Sequence, residues 1–189
     1  MKFDLTETLG YNPGVLPTAP PPEPGTIISF EVGGLPPYKN VNFSLRNAQS
    51  PQRNSFRKLR DAATNAMQGR CWSRGAVGLS MIIRSPTELP RSLNDYAGGV
   101  MDTLDGSSGF TFTYLPIVFE DDCQVSLGRS MWLPASFINY TVVIGFLEER
   151  NAEFLAAFDR EFDRLAVPVI CQADQKFVSP QSITHTGLE

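Results

Sequence analysis

The feature that most constrains this chain is an alternation of two hydrophobic rhythms. Short β-branched runs suited to strands take turns with longer segments whose apolar residues recur every three or four positions. "TIISFEV" (26–32), "AVGLSMIIR" (76–84), "CQVSLGRSMW" (123–132) and "NYTVVIGFLEE" (139–149) are of the first kind. Residues 50–68, 93–104 and 151–166 are of the second. The order strand, helix, strand, helix, strand, strand, helix predicts an α/β fold of the α+β sandwich type: a small mixed β-sheet with helices packed on it. Sheet order is not contained in that pattern.

The flanks read differently. "PTAPPPEPG" cannot form a regular helix and favours an extended polyproline conformation, so residues 1–25 are expected to be a flexible Pro-rich arm. Residues 26–168 form the expected single domain, and 169–189 a tail. No apolar run approaches the roughly 20 residues of a membrane helix, and the start lacks the layout of a secretion signal. A cytoplasmic protein with no membrane partner is expected. Cys71, Cys123 and Cys171 lie far apart, without zinc-ligand spacing, and read as buried or idle thiols. The only histidine is His185, which argues against a histidine-activated nucleophile. Any catalysis then falls to carboxylates, with or without a metal.

Charge is unevenly spread. The chain carries −4 overall, yet residues 46–91 hold nine basic residues against two acidic ones, and residues 92–189 hold five against fourteen. Phosphate contacts need an electropositive surface, and a divalent metal needs carboxylates. In the helix expected over 50–68, Ser50 is a candidate N-cap and Pro51 suits the first helical position. Phe56, Leu59, Ala63 and Met67 make its apolar face, and Arg53, Arg57 and Arg60 a neighbouring basic stripe. On the residues alone that stripe also fits a solvated helix face.

The stretch "RSLNDYAGGVMDTLDG" (91–106) sets a puzzle: Gly98 and Gly99 sit side by side within a helical pattern. Each costs roughly 1 kcal/mol against alanine in a helix interior. On a helical wheel Leu93, Val100 and Leu104 face the core, while Asn94, Gly98 and Asp102 form a polar column. Asp95 and Asp102 share a face, about 10 Å apart along the axis. They cannot share one cation without help from another segment. "FEDDCQV" is the candidate helper, with Asp121 and Asp122 adjacent at the start of a strand. The bland alternative is a set of solvated helix acids and an acidic turn.

These residues also carry a resemblance. The chain from "ISFEVGGLPPYKN" to about "INYTVVIGFL" resembles the RusA-like crossover junction endodeoxyribonucleases, which resolve four-way (Holliday) DNA junctions. "LNDYAGGVMDTLDG…VFEDDCQV" is similar to the family motif, an R-x-D-L-D-N-x-x-K-x-x-x-D-x-L helix followed by a D-D-x-Q-[VI] strand. Asp102, Leu104, Asp121, Asp122, Gln124 and Val125 match in type and order. The motif aspartates fall on Ser92 and Asn94, the motif asparagine on Asp95 and the motif lysine on Gly98.

The resemblance implies a small α/β homodimer acting in DNA recombination and repair, with Mg²⁺ (or Mn²⁺) as cofactor and branched DNA as partner. It makes Asp102, Asp122, Asp121 and Asp95 the candidate catalytic residues. Asp102 and Asp122, with the Asn94 carbonyl, become candidate metal ligands. Arg53, Arg57, Arg60 and Arg91 become candidate phosphate contacts, Arg91 standing in for the absent lysine. Two alternatives accompany this expectation. One is a branched-DNA-binding protein of the same fold with a decayed metal site. The other is a phage structural or interaction protein without nucleic-acid function.

Overall fold

Two strands, Val77–Ser85 and Asn139–Phe146, are buried at every residue, as expected of strands covered on both faces. They are the centre of an α+β fold in the computed structural model, which describes residues 17–39, 49–105, 107–108, 113–114, 116–147 and 151–167. In chain order the elements are β1 (Ile27–Gly33), α1 (Arg53–Met67), β2 (Val77–Ser85) and α2 (Leu93–Leu104). A two-stranded ribbon follows, β3 (Ser107–Ser108) and β4 (Thr113–Tyr114), then β5 (Val125–Pro134), β6 (Asn139–Phe146) and α3 (Ala152–Leu165). The main sheet runs β1-β6-β2-β5. β6 is antiparallel to both neighbours, and β2 and β5 are parallel, so the sheet is mixed.

Alternation along the central strands decides which helix each face receives. Leu79, Met81 and Ile83 of β2, with Tyr140, Val142 and Ile144 of β6, join the main core. There they meet Leu59, Ala63 and Met67 of α1 and Tyr96, Val100 and Leu104 of α2. The opposite face receives α3, where Phe154 and Phe158 pack with Val143. Close approach on this side depends on Gly78 and Gly145, which are register partners. A Cβ at Gly145 would lie 2.7 Å from Phe154 Cζ and 2.8 Å from Phe158 Cδ2. Each buried phenylalanine contributes about 1.5–3 kcal/mol relative to exposure.

Four local expectations are corrected. Helix α1 begins at Arg53 with Gln52 as its N-cap residue and no side-chain cap bond. Ser50 Oγ instead accepts from the Gln52 amide at 3.3 Å, two residues before the N-cap position. The strand expected from residue 123 begins at Val125, because Asp122–Gln124 form a single 3-10 turn. The expected arm is docked from residue 17 onward. The amides of Thr18 and Ala19 donate to Gly69 O, Cys71 N donates to Ala19 O, and Gly25 N donates to Phe146 O at 2.7 Å. Cys123 is exposed rather than buried, and Cys71 is half-buried. Residues 1–16 of the arm, the tail over 169–189, Cys171 and His185 lie outside the described residues.

Candidate functional site

The glycine pair of α2 has a physical cause. The segment Leu35–Lys39 leaves β1, and its backbone crosses α2 directly over Gly98 and Gly99. A Cβ on Gly99 would overlap the Pro37 carbonyl and lie 2.5 Å from Tyr38 Cα. Only a residue without a side chain admits backbone this close. One turn position earlier, a Cβ on Gly98 would lie 3.3 Å from Lys39 Cδ and 3.5 Å from Lys39 Cβ. Gly98 is therefore buried beneath the Lys39 alkyl chain, not part of the open polar column the spacing predicts.

The crossing segment is held at several points. The Gln52 side-chain amide grips the Tyr38 backbone from both sides: its Oε1 accepts from Tyr38 N at 2.6 Å, and its Nε2 donates to Tyr38 O at 3.1 Å. Lys39 N donates to Asp95 O at 2.9 Å, which ties the loop to the first turn of α2. The Tyr38 ring meets Tyr96 edge-on at 6.0 Å, and the Arg91 guanidinium lies over Tyr38 at 5.0 Å. Burial is the main cause that pushes the Tyr96 hydroxyl pKa above its ordinary value, with Tyr38 adding to it and Arg91 opposing it. Lys39 thus emerges from a pinned backbone. Its Nζ lies 3.5 Å from Asp102 Oδ1, with the Lys39 side chain 60% exposed and that of Asp102 28% exposed.

The first turn of α2 begins at Ser92, whose Oγ accepts from Asp95 N at 3.1 Å as an N-cap. Asn94 is exposed and Asp95 half-buried. At the other end of α2 the chain turns back: Ile117 N and Val118 N both donate to Leu104 O, at 3.1 and 3.2 Å. This leads the segment carrying Asp121 and Asp122 away from the same helix end that carries Asp102. Asp121 opens the 3-10 turn and accepts from Cys123 N at 2.8 Å. Hydrogen bonds from the Cys123 side chain and then its backbone hold the exposed Asp121 carboxyl below its ordinary pKa. The Asp121 carboxylate in turn pushes the Cys123 thiol up. Asp122 is exposed.

Gln124 is a structural clamp. Its Oε1 accepts from the amides of Glu120 and Asp121 at 2.7 and 3.0 Å, and its Nε2 donates to Ser73 O and Gly75 O at 3.2 and 2.8 Å. It fixes the Asp121–Asp122 turn against the entry to β2.

The basic stripe divides. Arg57 is exposed on α1, and Arg53 is half-buried beside Phe56. Arg60 is not a surface cation. It is 2% exposed, and its Nη1 donates to Thr103 O at 2.9 Å, tying α1 to α2. It is withdrawn as a phosphate contact. Arg84 is likewise buried, donating to Thr141 Oγ1 at 2.9 Å and to Leu165 O at the end of α3.

The four candidate carboxylates occupy two neighbouring regions: Asp95 and Asp102 on α2, Asp121 and Asp122 on the turn before β5. Among the described residues, no three His, Cys, Asp or Glu side chains gather closely enough to hold one metal ion. The residues that spacing missed are Gln52, Tyr38 and Lys39. Their only signal is a Gly/Pro loop, "GGLPPYK", in a chain that also carries an unexplained glycine pair. Among the described residues, no helix is long and apolar enough to cross a membrane. No family model matches the chain, and no curated protein matches it.

Proposed function

We propose that the protein is a Mg²⁺-dependent, structure-selective DNA endonuclease that acts as a homodimer on four-way junctions. The observation that carries this reading is the end of α2. A partly exposed Asp102 lies beside a lysine ammonium, and the chain leading to Asp121 and Asp122 is hydrogen-bonded to the last turn of the same helix. The motif resemblance assigns these three carboxylates to the reaction.

The donor chemistry fits the cation. Asp102, Asp121 and Asp122 offer hard carboxylate oxygens with access to solvent. Mg²⁺ is typically held by one or two carboxylates, with water and phosphate completing its shell. Asp102 and Asp122 would hold it, with Asp121 and Asp95 adding negative charge nearby. Asn94, in the first turn of α2, lies about 12 Å along the helix axis from Asp102, so it is not a ligand of the same ion. When bound, the metal supplies an activated water and offsets charge on the phosphate being cleaved. Arg53, Arg57 and Arg91 would contact the phosphates of the junction arms, giving binding that weakens with salt. Gln124 holds the acidic turn at a fixed position, and Gln52 holds the loop that carries Lys39.

The second reading is a DNA-binding protein without cleavage. Ser92 favours it: at a position where the motif has an aspartate, this hydroxyl accepts the Asp95 amide as a helix cap.

The test uses a labelled four-way junction and a linear duplex of the same sequence, with Mg²⁺, Mn²⁺ or EDTA. The nuclease reading predicts junction-selective strand cleavage that EDTA abolishes. A junction bound but left intact with either metal overturns it in favour of the second reading. Failure to retain the junction at low salt removes both readings and leaves a structural or interaction role.

A further inference from the structure

The geometry points to Lys39 as a preorganised phosphodiester contact, delivered by the Leu35–Lys39 loop to the position beside Asp102 over a glycine pair that admits it. This rests on the proposed DNA-binding function. It assigns to that site a residue 63 positions from Asp102 in sequence.

Three features separate Lys39 from an ordinary surface lysine. Its backbone is fixed, since Tyr38 is held by both ends of the Gln52 amide and Lys39 N is bonded to Asp95 O. Its alkyl chain lies on Gly98, which limits the directions the side chain can take. Its side chain is 60% exposed, with the ammonium 3.5 Å from Asp102 Oδ1. A lysine whose stem is held and whose head is open loses less side-chain entropy on meeting an anion than a free one. The Arg91 guanidinium stacks on Tyr38 of the same loop. The loop therefore carries one cation at its end and supports a second above its ring. Two cations joined to one rigid segment suit successive phosphates of a backbone.

The lysine that the motif places on the helix is replaced here by Gly98. The bare position is the one the Lys39 stem covers. A lysine at position 98 and the stem of Lys39 would compete for the same space. The charge reaches the site from the loop instead of from the helix.

The experiment measures binding of the full chain to a four-way DNA junction in EDTA across a series of salt concentrations. Omitting the metal separates the result from catalysis. Lys39→Met keeps the stem on Gly98 and removes the charge. It is expected to lower the slope of log affinity against log salt by about 0.9, and hence the affinity by about eightfold at 0.1 M salt relative to 1 M. Lys39→Arg is expected to keep the wild-type slope. In the double variant Lys39→Ala with Gly98→Lys, the vacated space admits the helix lysine and the slope returns. If wild type binds and Lys39→Met leaves its slope unchanged, the inference is overturned while the binding reading stands. If Lys39→Met and Lys39→Arg lose affinity equally, the contribution is packing and the inference is likewise overturned. If wild type does not bind, both fall together.

Discussion

Adjacent glycines in one helix are expected to respond to alanine with opposite signs. In a solvated helix, Gly→Ala stabilises by about 1 kcal/mol. Gly98→Ala should show most of that gain. Its new methyl meets Lys39 Cδ at 3.3 Å, a side-chain contact relieved by a shift of a few tenths of an ångström that leaves the loop backbone in place. Gly99→Ala meets backbone instead, with Tyr38 Cα at 2.5 Å. Carbon–carbon contact needs about 3.5–4.0 Å, so the loop must retreat by roughly 1 Å or more. A retreat of that size breaks the Lys39 N–Asp95 O bond and the two Gln52–Tyr38 bonds. At about 1 kcal/mol each, their loss exceeds the helix-propensity gain, leaving Gly99→Ala destabilised by about 2 kcal/mol. Urea unfolding followed by far-UV circular dichroism measures both variants against wild type. The loop-crossing account is refuted if the two substitutions stabilise equally, because Gly99 would then have no neighbour to displace.

Three other outcomes follow from the same contacts. Arg60→Met should lower stability by about 2 kcal/mol, since a buried guanidinium–carbonyl bond between α1 and α2 is lost, yet leave the salt dependence of DNA binding unchanged. Arg57→Ala should do the reverse, lowering the salt slope with little change in unfolding midpoint. The lowered Asp121 pKa stabilises the fold above the ordinary carboxylate range, and that contribution disappears as pH falls through the lowered value. Asp121→Ala should thus be less stable than wild type at neutral pH, and the gap between their unfolding midpoints should close in strong acid.

The scaffold was largely legible in the sequence because its causes are local and periodic. β2 and β6 read as strands from their Val, Ile, Leu and Met content, although their place at the centre of the sheet is not contained in that pattern. α2 runs over Leu93–Leu104 as the spacing of Leu93, Val100 and Leu104 predicts. α3 spans Ala152–Leu165, with Phe154, Phe158 and Phe162 buried as its periodicity requires. What spacing could not supply are contacts between distant segments. Arg60 shares a stripe with Arg53 and Arg57, but it borders the apolar face at the point where α2 crosses, so it is drawn inward to Thr103. Ser50 has a cap residue's chemistry, yet the helix starts after Gln52, whose side chain is committed to Tyr38. The glycine pair marks a close approach without naming the approaching segment. That identity emerges only when the loop after β1 crosses α2 and Lys39 comes to rest beside Asp102.

The most direct test of the proposed function is the single-turnover rate of junction cleavage in Mg²⁺ by wild type and Asp102→Asn. The Lys39–Asp102 pair is solvent-accessible, so its loss should change stability by no more than about 1 kcal/mol. The fold and junction binding are therefore retained. The account predicts a loss of cleavage of about a hundredfold or more, with binding intact. Cleavage by Asp102→Asn at the wild-type rate would contradict it.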